Sequence, residues 1–180
     1  MRVRRRSMIL AAAGLMTACG ASMASDRHGS DSMTTSSETA NMAIIRRVYE
    51  QCINEGKLEL LDAIVAPELV GPNGETGAAG LRGTFAAIRV AFPDIHYTLA
   101  DVFADGERVA VRWTWEGTHK APIRGYPASG ARVKDTGMAI YEFGGGKIRS
   151  VWLQTDRLGF LQQIGVVPDD ATLRAGVASR

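Results

Sequence analysis

The order of elements in this chain predicts an α+β domain in which helices pack over a curved antiparallel sheet. Two observations carry the prediction. Apolar residues from Ile44 to Phe92 recur at spacings of three and four, whereas those from Ile95 to Trp152 alternate with a period of two. After Asp156 the spacing returns to helical at Leu158, Leu161 and Ile164. Three helices, four long strands and one last helix are segregated elements, which is the mark of α+β rather than of alternating layers. With 180 residues and a formal net charge of +2, the chain has room for one ordinary domain and one core.

The N-terminus reads as an export signal. Arg2, Arg4, Arg5 and Arg6 precede the apolar run Met8 to Ala18, which is too short to span a bilayer and is followed by Cys19. Small residues directly before the cysteine resemble a bacterial lipoprotein signal. Residues 1–18 are therefore expected to be removed and Cys19 to carry lipid, giving an envelope lipoprotein held to the membrane only through that anchor. Ordinary secretory cleavage after Ala24 is the alternative, giving a soluble secreted or periplasmic protein. Without the four arginines the count is 17 basic against 19 acidic residues, a net charge of −2, so nucleic acid is not the expected partner. Residues 19–40 hold nine Ser or Thr between Gly20 and Ala40 and no aromatic residue, and are predicted to be a disordered tether. With Cys19 acylated, Cys52 has no intramolecular partner and reads as a small buried hydrophobe.

The domain is expected over 41–168, with 169–180 a flexible tail. Asn41 is a candidate cap for a first helix carrying Ile44, Ile45, Val48, Tyr49 and Cys52, which Gly56 ends. A second helix runs from Lys57 to Val65 and stops at Pro67. The glycine-rich segment Gly71 to Gly80 reads as a loop, and it lacks the G-K-[ST] ending of a phosphate cradle. Leu81, Phe85, Ile88 and Phe92 mark a third helix, ended by Pro93. Ile95–Ala104 and Arg108–His119 are strands joined at Asp105-Gly106, a hairpin signal. Arg132–Phe143 and the strand from Lys147 follow, turned at three consecutive glycines.

Val109, Val111, Trp113, Trp115 and His119 share parity, so a regular strand sets two indoles and an imidazole along one face, as in a small-molecule pocket. The two tryptophans read equally as core, and His119 as a solvated strand-end histidine. On the last strand Ile148, Ser150, Trp152, Gln154 and Asp156 share parity, placing a carboxylate at the hand-over to the last helix. Asp156 reads either as an acid or base beside Trp152 or as a helix cap, two roles that move its pKa in opposite directions. Spacings typical of a metal site or a nucleophile turn are absent from the sequence. Both parities of the last strand are apolar, Val151 and Leu153 opposite Trp152, which predicts a homodimer through the outer face of the sheet.

Several stretches together carry a resemblance: R-R-V-Y-E-Q-C-I-N-E-G-K-L-E-L-L-D, A-P-E-L, A-F-P-D-I, R-V-A-V-R-W-T-W-E-G-T-H, G-M-A-I-Y-E-F-G-G-G-K-I and V-W-L-Q-T-D-R-L-G-F-L-Q-Q-I-G. They span Arg46 to Gly165, and the chain resembles the SnoaL-like polyketide cyclases, or ester cyclases, of the nuclear transport factor two-like superfamily. The resemblance implies a cone with a deep pocket between helices and a strongly curved sheet. It also implies metal-independent, cofactor-free aldol-type cyclisation or isomerisation of a bulky apolar carbonyl compound. By motif position Asp156 matches the family's acid and base, and His119 a recurrent histidine after G-T. Trp113, Trp115, Trp152, Gln154 and Tyr49 are then the candidate substrate-binding residues. One departure is visible: relatives usually carry histidine or aspartate shortly after A-P-[DE]-[FL], where this chain has Gly71, Pro72, Asn73 and Gly74. Non-catalytic binding of a small molecule or envelope lipid by the same fold is the alternative function.

Overall fold

The structure, a computed structural model, describes residues 26–178; Cys19 and the segment before it lie outside the described residues. Helix α1 (Asp26–Arg47) continues without a break into a π-helical segment (Val48–Asn54). The helix thus starts within the expected tether. Glu38 Oε1 accepts a hydrogen bond from Gly106 N at 2.7 Å, which fixes this part of α1 to the sheet. Asn41 is buried inside the helix rather than capping it.

Beyond Gly56, which adopts φ 78°, a 3-10 turn (Leu58–Leu60) leads into α2 (Leu61–Ile64). The helix expected to run to Val65 ends there, because Val65–Val70 is a fifth strand, β1. Pro67 hides it in the sequence, yet an edge strand tolerates a proline because only one of its sides must pair. Then come α3 (Gly77–Ala91), β2 (His96–Asp105), β3 (Arg108–Thr118), β4 (Arg132–Gly144), β5 (Lys147–Thr155), α4 (Arg157–Gln163) and α5 (Asp170–Ala178). The last of these lies in the expected flexible tail and begins where Asp169 Oδ1 accepts from Thr172 N at 2.8 Å.

The sheet order is β1-β5-β4-β3-β2, antiparallel throughout except for the parallel pairing of β1 with β5. The concave face is built in rows across the strands: Tyr97, Trp115 and Asp135; then Leu99, Trp113, Gly137 and Thr155; then Val102, Val111, Ala139 and Leu153; then Ala104, Val109, Tyr141 and Val151. Ile45, Val48, Tyr49, Cys52 and Ile53 pack over it from the helical side, together with Leu61, Leu81 and Phe92. Two polar clamps fix that layer. Asn54 exchanges a pair of hydrogen bonds with the backbone of Tyr97, at 2.7 and 2.9 Å, and Arg89 Nη1 donates to the carbonyls of Ile53 and Asn54 at the helix end, where no intrahelical donor remains.

A β-bulge decides which half of β5 faces inward. Phe143 pairs with Ile148 but Glu142 pairs with Ser150, so Arg149 is an extra residue and the parity inverts there. Ile148, Val151, Leu153 and Thr155 face the core, while Ser150, Trp152 and Gln154 face outward. On the outer face Phe103, Ala110, Ile140 and Trp152 form one register row across four strands, with Phe103 66 % and Trp152 52 % exposed.

Candidate active site

Helices and sheet leave between them a cavity of about 270 Å³. The sheet supplies Tyr97, Trp113, Trp115, Asp135, Tyr141, Val151, Leu153 and Thr155; the helical side supplies Val48, Tyr49, Ile53, Leu81, Phe85 and Ile88. Asn73, Glu75, Thr84, Ile123, Arg124 and Arg157 line both this space and the wider opening above it, so they form its mouth. An apolar chamber with few polar groups is the ordinary form of a small-molecule site.

Asp135 is one of two carboxylates lining the chamber, the other being Glu75 at the mouth. Asp135 stands on β4 among the inward residues Val133, Gly137, Ala139, Tyr141 and Phe143, directly across from Trp115, and is 6 % exposed. Burial pushes its pKa up to about 6, against the hydrogen bond that Thr136 N donates to Oδ1 at 2.7 Å; the nearby Asp156 charge adds to the rise and the Asp156 N–H opposes it. A carboxyl group balanced near neutrality inside a cavity has the property wanted in a general acid and base.

Aromatic hydroxyls accompany it. Tyr49 and Tyr141 hydroxyls lie 2.8 Å apart, and burial raises both pKa values, that of Tyr141 to about 12. One proton serves the mutual hydrogen bond and the other is free to reach a ligand. Tyr97, also raised by burial and next by its tyrosine neighbour Tyr141, feels the Asp135 charge as well. Trp113 Nε1 is buried at the cavity wall without a well-formed hydrogen bond, and its N–H acts on the Tyr49 hydroxyl, opposing the rise of that group's pKa. Edge-on ring contacts between Tyr97 and Trp113 and between Phe92 and Trp115, with centroids 5.1 and 4.9 Å apart, hold the indoles in place.

Of the residues expected from the sequence, Tyr49, Trp113 and Trp115 meet at this cavity, and the other four do not. Trp152 and Gln154 are turned to the outer face by the Arg149 bulge. His119 is fully buried behind the wall: its ring stacks on Phe92 at 5.1 Å and its Nδ1 lies 3.1 Å from Ser129 Oγ and accepts from Ser129 N. Asp156 is exposed and caps α4, its Oδ1 accepting from Gly159 N at 2.9 Å. Asp156→Ala is expected to cost about 1 kcal/mol in urea unfolding, whereas Asp156→Asn keeps most of the cap. A cost below a few tenths of a kcal/mol for the alanine variant would show that the cap contributes nothing.

Tyr97, Asp135 and Tyr141 line the cavity without being singled out in the sequence, and for the two on β4, Asp135 and Tyr141, a signal exists. Their signal is the parity of Val133, Asp135, Gly137, Ala139, Tyr141 and Phe143, in which an acid occupies an apolar-face position. Cys52, as expected, is buried, and burial raises its thiol pKa. Among the described residues, no cluster of three His, Cys, Asp or Glu side chains could hold a metal, and no helix is long and apolar enough to cross a membrane.

A curved, unclosed sheet roofed by helices, with a buried acid in an aromatic chamber, defines an α+β pocket protein of the nuclear transport factor two-like class. The sequence profile of the SnoaL-like polyketide cyclases matches residues 43–164, and the chain belongs to that family. TsrD from Streptomyces laurentii is similar in structure, with 30 % identity, a TM-score of 0.64, and 73 % of this chain and 97 % of that one covered. A proposed polyketide cyclase from Acidithiobacillus ferrooxidans is 32 % identical with a TM-score of 0.61, covering 69 % and 94 %. IdmH from Streptomyces antibioticus, also a proposed polyketide cyclase, is 28 % identical with a TM-score of 0.59, covering 70 % and 99 %. A search of curated proteins finds no match.

Proposed function

We propose that the protein is an acid/base enzyme acting on a bulky, largely apolar carbonyl compound, by aldol-type cyclisation or isomerisation, with Asp135 as the group that moves the proton. The observation that carries this reading is a carboxyl group buried in an aromatic chamber with its pKa raised to about 6. As carboxylate, Asp135 takes a proton from the carbon beside the carbonyl, and the electron pair moves onto the carbonyl oxygen. The Tyr97 hydroxyl and the Trp113 N–H are the donors at hand for that oxygen. In a cyclisation the enolate carbon then bonds to a second carbonyl carbon of the same molecule, and protonated Asp135 returns the proton to the new alkoxide. In an isomerisation the proton is returned to another carbon. Asp156, which motif position favours, then serves as the cap of α4 and as the charge that helps hold the Asp135 pKa up.

The test uses a probe rather than the natural substrate. With 2-tetralone in deuterium oxide, the protein is expected to accelerate exchange of the hydrogens beside the carbonyl, followed by NMR. Binding of the ketone without acceleration would sink the catalytic reading and leave the alternative, a small-molecule or lipid binding protein. The mostly apolar lining supports that alternative.

The same proposal includes export with a lipid on Cys19, tested by the mass of the mature N-terminus, and a homodimer formed across the outer sheet face. The exposed row Phe103, Ala110, Ile140 and Trp152 supports self-association, because two copies related by a two-fold axis present the same apolar band to each other. Light scattering at micromolar concentration is expected to give a dimer, and Trp152→Glu a monomer. A monomeric wild-type protein refutes this part.

A further inference from the structure

Around the mouth of the cavity the charges are unequally engaged. Glu75 is committed: its carboxylate accepts from Asn73 N, Asn73 Nδ2 and Thr84 Oγ1 at 2.8 to 2.9 Å. Burial opposes its ionisation, yet these hydrogen bonds and its own backbone N–H outweigh that and hold its pKa below the ordinary value. Arg124 and Arg157, which line the same mouth, have no carboxylate partner among the described residues; Arg82, Arg108, Arg112, Arg132, Arg149 and Arg174 each have one, and Arg46, Arg47 and Arg89, which do not, line neither the cavity nor its mouth.

Arg157 is held by its side chain and Arg124 by its backbone turn. Arg157 lies over the Tyr126 ring, 5.5 Å from its centroid, and its Nη2 donates to the Tyr126 hydroxyl at 3.2 Å. Arg124 is the one non-glycine with positive φ among the described residues, at 51°, and Gly125 follows at 83°. The turn is closed on both sides by Ile123 N to Tyr126 O at 3.0 Å and Tyr126 N to Ile123 O at 2.9 Å. A two-residue turn with both φ values positive suits Asn or Gly, not arginine. Backbone strain of this kind tends to persist where the side chain has work to do, and here it sets a guanidinium at the opening. Tyr126 joins the two, closing the turn of one and bearing the other.

We infer that the ligand of this cavity is an amphipathic anion: an apolar body enters the chamber and a carboxylate or comparable anionic group stays at the mouth between Arg124 and Arg157. Guanidinium groups suit such an anion because their donors match carboxylate geometry. This deepens the proposed function, resting on the cavity as a small-molecule site and not on proton transfer by Asp135.

The test is calorimetric titration of the folded protein with a matched pair, 6-acetyl-2-naphthoate and its methyl ester, at low and moderate salt. Arg124→Asn, which suits the turn, Arg157→Gln and the double variant are titrated alongside. The acid is expected to bind about tenfold more tightly than the ester at low salt, with the preference shrinking as salt is added and falling close to one in the double variant. Ester bound as well as acid by the wild-type protein overturns the inference while leaving the cavity reading intact. A preference for acid that survives in the double variant overturns the assignment to these arginines. Binding of neither probe overturns the cavity reading, and the inference with it.

Discussion

Asp135→Asn is expected to lose the carbonyl-exchange activity by about 10²- to 10⁴-fold and, at neutral pH, to unfold at a higher temperature than the wild-type protein. The two effects have one cause. With a folded pKa near 6 against an ordinary value of 3.8, the folded protein holds the Asp135 proton more tightly than the unfolded chain does. The favourable contribution of the protonated group is complete below pH 3.8, declines as pH rises, and is gone once pH passes the folded value near 6. Above that the fold carries a buried charge, which asparagine removes with little change of shape. After discounting for solvent that reaches the carboxylate through the cavity, the gain is about 1–2 kcal/mol. Thermal unfolding from pH 4 to 8 measures it: the advantage of the variant should open between pH 4 and 7 and then level off. A variant less stable than wild type at pH 8 would mean that the carboxylate is a favourable structural charge and no base. Exchange activity should rise through pH of about 6 as the base forms. Asp156→Asn should move that rise to lower pH, because it removes a charge that lifts Asp135, while leaving the base in place.

The largest structural effect is expected from Gly137→Ala. A methyl group at this position would meet Trp113 Cζ2 at 2.5 Å and the Gln154 carbonyl oxygen at 2.7 Å. Neither neighbour can withdraw easily, since the oxygen belongs to the β5 backbone and the indole is packed against Tyr97. Overpacking of this kind costs about 1–3 kcal/mol, and roughly 2–4 °C in Tm accompanies each kcal/mol in a chain of this size. The indole can yield only by leaving its place at the wall, so affinity for 2-tetralone should fall as well. Pairing the change with Trp113→Phe should recover part of the stability, and a simple sum of the two single costs would show that Gly137 does not make room for Trp113.

Most of the fold was legible because hydrophobic period is a strong signal over long elements. Ile44 to Cys52 and Val109 to Trp115 read directly as a helix face and a strand face, and both faces point where their periods say. What failed was local. Pro67 made β1 look like a stop, although an edge strand accepts a proline, and no periodicity over Val65–Val70 could reveal a partner as distant as β5. One extra residue, Arg149, inverted the parity of half a strand, so that Trp152 and Gln154 were assigned to the wrong side while Val151 and Leu153 were in fact facing the chamber. A bulge of this kind costs nothing in composition and leaves no mark in the sequence.

For the acid, motif and cavity point to different residues. Motif position favoured Asp156, and the cap that holds it outward depends on Gly159 offering its N–H three residues later, a spacing equally compatible with either role. Asp135 could have been found by reading the apolar side of β4 and asking why an aspartate stands on it. His119 was correctly placed near the end of β3, but its direction was set by the loop after it, through Ser129, and not by the strand.

The parallel pairing of β1 with β5 also fixes the order in which the cavity can come into being. Val65 and Ile148 are neighbours in the sheet but 83 positions apart in the chain (148 − 65). The hairpins β2-β3 and β3-β4 join segments close in sequence, so their pairing demands little loop closure, whereas β1 has nothing to pair with until β5 has been made. β5 is itself placed between β1 and β4, and it brings Val151, Leu153 and Thr155 to the cavity wall. During synthesis the helical roof and three strands are therefore complete while the chamber still lacks one side, and the edges of β1 and β4 stay open to other chains until β5 emerges.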